Sequence, residues 1–128
     1  QCVAETFNKG RILLAGDSAH VNNPIGGMGL NGGIHDAVNL ASKLVPVWKG
    51  RAPVDQLDLY TRQRHKASTD FTQAQTIANK KQLEERDPGI RRQRLDELRQ
   101  ISEDKDKARA YMRRAQLIDS VEAAESVA

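Results

Sequence analysis

The chain has 128 residues, enough for one modest domain. Its hydrophobic content of 38% and aromatic content of 4% are low for a domain that buries its own core, and 20 bases against 17 acids leave a net charge of only +3. These figures exclude a disulfide scaffold (Cys2 is the lone cysteine), a zinc cluster and a strongly basic nucleic-acid binder.

In chain order, residues 1–7 read as the end of a strand or an extended approach, and Asn8-Lys9-Gly10 as a turn. The continuous apolar run Ile12-Leu13-Leu14-Ala15 predicts a buried strand that stops at Gly16-Asp17. A loop with Pro24, Gly26, Gly27 and Gly29 follows, and Leu30-Asn31-Gly32-Gly33 opens a helix. Its apolar positions Ile34, Ala37, Val38, Ala41, Leu44 and Val45 recur at three and four residues, and Pro46 predicts its end just before that position. Trp48 to Pro53 is a connector. A long helix is then predicted from about Val54 to Glu85, with a seam of Leu57, Tyr60, Arg64, Ala67, Phe71, Ala74 and Ala78. Asp87-Pro88 is a fresh helix start, Asp as N-cap and Pro in the first position. A polar break at 102–106, a short helix over Ala108 to Ala115 and a frayed tail from Val121 complete the chain.

Strand, acid, glycine-rich turn and helix start form the arrangement by which an open α/β sheet presents a ligand site at the end of a strand. The residues leave two readings of Asp17 open. It caps a turn or helix, as Asp often does, or its carboxylate accepts hydrogen bonds from a ligand hydroxyl. Gly26, Gly27 and Gly29 permit positive φ and leave nothing between backbone and ligand.

The run Gly16-Asp17-Ser18-Ala19-His20, three residues, Pro24, then Gly26-Gly27-Met28-Gly29-Leu30-Asn31 resembles the second flavin fingerprint of the FAD-dependent aromatic hydroxylases. These are single-component flavoprotein monooxygenases of the 4-hydroxybenzoate hydroxylase type, with the pattern GD(A/S)AH-xxx-P-xx-G-x-G-x-N. The resemblance implies that Gly16 and Asp17 meet the ribityl chain of FAD, and that Gly26, Gly27, Gly29, Leu30 and Asn31 face the pyrimidine edge of its ring. Pro24 would lie beside the place where substrate meets flavin. It also implies NADH or NADPH as co-substrate, O2, and a small aromatic substrate. His20 is expected to shape the loop rather than to act as acid or base. His35 and His65 read as solvated or capped side chains on helices.

No GxGxxG turn opens this sequence ahead of Gly16-Asp17, where the resemblance implies one for the ADP half of FAD, and no DG motif occurs in it, so the expectation is a carboxyl-terminal piece of such an enzyme, inactive alone. The expected fold class is an α/β fragment, mostly helical. It comprises one strand–glycine loop–helix unit of a Rossmann-like FAD-binding domain over 1–53, a long helix over 54–86, and terminal helices over 87–128. Arg91, Arg92, Arg94 and Arg99 are interleaved with Asp96 and Glu97, which reads as a solvated helix face, so no nucleic-acid partner is expected. No membrane span is expected either, while a cytoplasmic location fits the single thiol and a homodimer is compatible with the helical seam. The competing reading is a non-enzymatic helical interaction module whose glycine loop is incidental or binds an anion.

Overall fold

The computed structural model describes residues 2–128. Two small antiparallel pairs lead the chain: β1 (Cys2–Val3) with β4 (His20–Val21), and β2 (Asn8–Lys9) with β3 (Ile12–Leu13). The run after Arg11 is therefore a strand, but not a buried one: Ile12 is 67% exposed. A hairpin two residues deep has no second layer to lie against within these residues.

Helix α1 spans Met28–Trp48 and runs through Pro46. The expected stop before that proline fails: Pro46 forgoes one i→i−4 bond, but it lies in the final turn, so only two helical residues follow any kink it causes. The stop comes at Gly50, whose left-handed φ of +66° suits glycine. The apolar stripe of α1 is present, but it is not the face that packs on this chain. Gly32, Asp36 and Lys43 face the rest of the chain, while Ile34, Val38, Val45 and Trp48 point outward. Nothing among the described residues covers that apolar stripe.

The predicted long helix is present as α2 (Gln56–Lys66), a π-helical segment (Ala67–Gln73) and α3 (Ala74–Glu84), without a break. The seam holds through Leu57, Tyr60, Arg64 and Ala67, then slips by one residue to Ser68, Thr72 and Thr76. A π turn carries an extra residue and so rotates the following face. Its cause is local: Ser68 Oγ donates to the Arg64 carbonyl at 2.9 Å and Thr69 Oγ1 to the His65 carbonyl at 2.9 Å, both competing for the helix ladder. Phe71 is consequently half-buried and Ala74 exposed.

Asp87 caps α4 (Pro88–Glu103) as expected, accepting from the Gly89 and Ile90 amides at 2.7 and 3.0 Å. The polar break narrows to Asp104, which caps α5 (Lys105–Ala115) in the same way. The tail is not frayed. It forms α6 (Ile118–Glu125), with Ser120 and Ala124 buried and Leu117 at the corner in left-handed backbone. Small residues four apart let α6 approach α2 and the π segment closely, and Arg113 ties the corner to Asp119 at 2.8 Å. Among the described residues no helix is long and apolar enough to cross a membrane.

The core is small: Phe7, Ala19 and Tyr60, packed round by Val3, Ala4, Leu14 and Leu40. Phe7 lies 6.2 Å from Tyr60, 6.0 Å from His20 and 5.8 Å from His65, ring centre to ring centre. His65 is thus a packing residue, not a solvated one. Burial first, and the nearby Asp36 charge second, raise the Tyr60 phenol far above its ordinary value, so it stays a donor. It donates to the Leu14 carbonyl at 2.6 Å and anchors the strand before Gly16 onto α2. Tyr60→Phe should cost about 1–3 kcal/mol, the penalty of an orphaned buried carbonyl. Phe7→Ala should cost more, about 3–5 kcal/mol. Urea midpoints of the two variants check the ranking, and equal stability of Tyr60→Phe and the parent would contradict the anchor.

Candidate functional site

The segment from Gly16 to Asn31 is held from behind by Asp36 of α1, which is fully buried. Its Oδ2 accepts from the Gly16 amide at 2.9 Å and from His20 Nε2 at 2.6 Å, and its Oδ1 from Arg64 Nε at 2.6 Å. Asn22 Nδ2 donates to His20 Nδ1 at 3.1 Å, which assigns the remaining ring proton to Nε2 and so to Asp36. Burial acts to raise the Asp36 pKa. The hydrogen bonds from His20 and Arg64, the Arg64 charge and the Gly16 amide outweigh it and hold the carboxyl below its ordinary value.

Gly16 adopts φ +61° and its Cα packs against Gly33, where a β-carbon would stand only 3.3 Å away. The turn Gly16–Ser18 is a single 3₁₀ turn closed by Ser18, whose Oγ donates to the Ala15 carbonyl at 2.8 Å. Asp17 therefore caps neither this turn nor α1. Its carboxylate is exposed, carries no hydrogen bond or ion pair among the described residues, and lies 4.0 Å from where a Gly29 β-carbon would be.

Pro24 to Gly27 is a turn closed by the Gly27 amide donating to the Pro24 carbonyl at 3.1 Å, with Gly26 at φ +104°. Gly27, at φ +65°, is the N-cap of α1, and no side chain caps the helix. The first amides of α1 are thus left to a ligand or to water, with the positive end of the helix dipole behind them. Gly29 is helical, so the expectation of positive φ holds for Gly26 and Gly27 but not there. Leu30 and Asn31 are exposed on the same first turns. From the far side, Asn79 of α3 approaches Gly26 so closely that a β-carbon there would sit 2.7 Å from its amide nitrogen.

The structure thus brings Gly16, Asp17 and Gly29 together at one end of α1, with Gly26 and Gly27 at its cap and Pro24 in the adjoining turn. Two residues that matter were absent from the sequence-based set: Asp36 and Arg64. The only sequence signals were an acid among the apolar positions of one helix and a base interrupting the seam of the next.

A family profile described as an FAD binding domain matches residues 1–75. The chain belongs to that FAD-binding family. It is 45% identical over 91 residues to the para-nitrophenol 4-monooxygenase of Pseudomonas sp. strain WBC-3, an alignment covering 71% of this chain and 22% of that protein. It is 44% identical over 68 residues to a rifampicin monooxygenase of Rhodococcus hoagii, covering 53% of this chain and 14% of that one. Among solved structures, the p-nitrophenol 4-monooxygenase of Pseudomonas putida superposes with a TM-score of 0.82 at 34% identity, covering 93% of this chain and 30% of that chain. The chain therefore spans less than a third of the relatives it matches, and it shows the mostly helical α/β character of their FAD-binding fold. A free-standing helical module with an incidental glycine loop is set aside by this membership.

Asp36→Asn leaves Arg64 without its buried counter-charge and should cost about 3–5 kcal/mol. Because the folded-state pKa lies below the unfolded value of about 3.9, the Asp36 contribution is complete above that value and is lost as pH falls through the folded one. Urea midpoints measured from neutral pH downward should decline below about pH 4, with a shallower acid slope in Asp36→Asn; an identical slope would contradict the assignment.

Proposed function

We propose that this chain supplies the ribityl and isoalloxazine half of the FAD site in a flavoprotein monooxygenase. The intact enzyme would use NADH or NADPH and O2 to hydroxylate an aromatic or related ring compound, in the cytoplasm. The observation that carries this reading is the unspent Asp17 carboxylate beside the uncapped start of α1. A carboxylate with no partner in the chain is a ready acceptor for ligand hydroxyls, and the ribityl arm is a row of them. The bare first turn of α1 offers amides backed by the helix dipole, suited to a polar ring edge that carries partial or full negative charge.

When bound, FAD would supply the electron transfer and oxygen activation; the chain supplies orientation and polarity. Gly16 and Asp17 would hold the sugar-alcohol arm. The amides around Gly29, Leu30 and Asn31 would face the pyrimidine edge, with Gly26 and Gly27 leaving the approach free of side chains. Pro24 has no N–H and adds no competing donor beside the ring. Its carbonyl accepts from the Gly27 amide, which fixes the turn beside the ring.

In the longer protein, Asp17→Ala should weaken FAD binding by on the order of ten- to a hundred-fold, the worth of a charged hydrogen bond. Aromatic-substrate affinity should change far less. An unchanged FAD dissociation constant would remove Asp17 from the site. The 128 residues alone should retain no stoichiometric flavin after desalting, read by absorbance, since no GxGxxG turn for the ADP half precedes Gly16-Asp17 in them.

A further inference from the structure

Behind the site, α1, α2 and α6 line a half-open pocket of about 310 Å³ whose polar wall is His35, Asn39, Lys43, Gln63, Arg64 and Glu125. It has room for a small ion and several waters, at about 30 Å³ per water. Two cations line it, both more than nine-tenths buried: Lys43 is 9% exposed and Arg64 3%. Arg64 is paired with Asp36 through Nε only. Lys43 forms no ion pair; its amine reaches only Ser42 Oγ, at 3.4 Å. Glu125 is near enough to act on its charge but makes no ion pair with it, and a largely buried cation with no ion pair favours an anion beside it.

Two further atoms are buried here without a partner: Asn39 Oδ1 and His35 Nδ1. Asn39 spends its Nδ2 on Gln63 Oε1 at 3.0 Å, so its oxygen can only accept. The cavity therefore offers positive charge and at least one acceptor that needs a donor. Hydrogen phosphate matches both demands, presenting anionic oxygens to the cations and a P–OH to Asn39. Sulfate, which carries no proton near neutral pH, matches only the first.

We propose that this cavity is a binding site for a hydrogen phosphate group, held by Lys43 and Arg64 and oriented by Asn39. Burial, and then the Arg64 charge, hold the Lys43 amine below its ordinary pKa, with Glu125 acting the other way; an anion in the cavity relieves both strains. Burial and the Arg64 charge likewise lower the His35 pKa against the pull of Asp36, which disfavours its charged form. Glu125 is exposed and forms no ion pair, so it competes with an incoming anion instead of neutralising Lys43 permanently. The site is separate from the glycine-rich end of α1: its α1 residues lie on the turns after Gly33. The proposal does not depend on the flavin reading.

The test is phosphate titration of the 128-residue chain, followed by ³¹P line broadening and by thermal midpoint against sodium chloride of equal ionic strength. Saturable binding of inorganic phosphate assigns the free ion, and binding of glycerol 2-phosphate alone assigns a phosphomonoester. No saturable binding of either overturns the proposal. Lys43→Met should weaken binding on the order of tenfold or more, and Glu125→Gln should tighten it. Gln63→Glu places a carboxylate in the same cavity and should abolish the phosphate response while leaving the chain folded. Unchanged binding in Gln63→Glu and Glu125→Gln would overturn the site even if Lys43→Met fails to fold. Sulfate binding as tight as phosphate would overturn the role of Asn39.

Discussion

One carboxylate, Asp36, joins three separate parts of this chain: the turn after the strand through Gly16, the β4 edge through His20, and α2 through Arg64. Taking a carboxylate fully out of water is expensive, and it is tolerated only where its lone pairs are used and a counter-charge is close. Both conditions are met here by three short hydrogen bonds, two from buried side chains. The arrangement is specific because none of the three donors can move without stranding the charge. It is what the small apolar cluster of Phe7, Ala19 and Tyr60 cannot provide on its own.

Everything at the open end of α1 follows from that tie. With its amide fixed on Asp36, Gly16 lies against Gly33, where a β-carbon on Gly33 would stand 3.3 Å from the Gly16 Cα, and Gly16 itself holds a left-handed φ of +61°. The next residue, Asp17, is then delivered to the rim beside Gly29, facing outward with its carboxylate free. Ser18 closes the turn, so Asp17 is spared the capping role that its residue type would otherwise favour. The hub is structural and the rim is available for ligand: this division of labour is why a buried acid and an exposed acid lie within one site. Tyr60, by holding Leu14, fixes the strand that leads into it.

The fingerprint from Gly16 to Asn31 was legible because its residues lie close together in the sequence, and so was the Asp87-Pro88 helix start, whose signal is written in adjacent residues. What escaped sequence reading is non-local. Asp36 and Arg64 look like ordinary helix residues until folding brings them within 2.6 Å. The seam slips after Ala67 because hydroxyls at Ser68 and Thr69 open a π turn, a competition that a periodicity count cannot register. Pro46 was over-weighted as a breaker, since its cost depends on distance from the helix end. The tail was under-weighted, since α6 gains its order from packing on α2. The apolar face of α1 was legible as apolar from its periodicity alone. It faces away from this chain, which spans only 30% of the p-nitrophenol 4-monooxygenase structure it superposes on.

The central claim is that the Asp36 hub sets Asp17 and the first amides of α1 on one side of a flavin cradle. A crystal structure of the full-length protein with FAD tests it most directly. The account predicts the Asp17 carboxylate within hydrogen-bond distance of a ribityl hydroxyl and the Gly29–Asn31 amides against the pyrimidine edge. Flavin seated elsewhere, or Asp17 turned away from it with the hub intact, would contradict it.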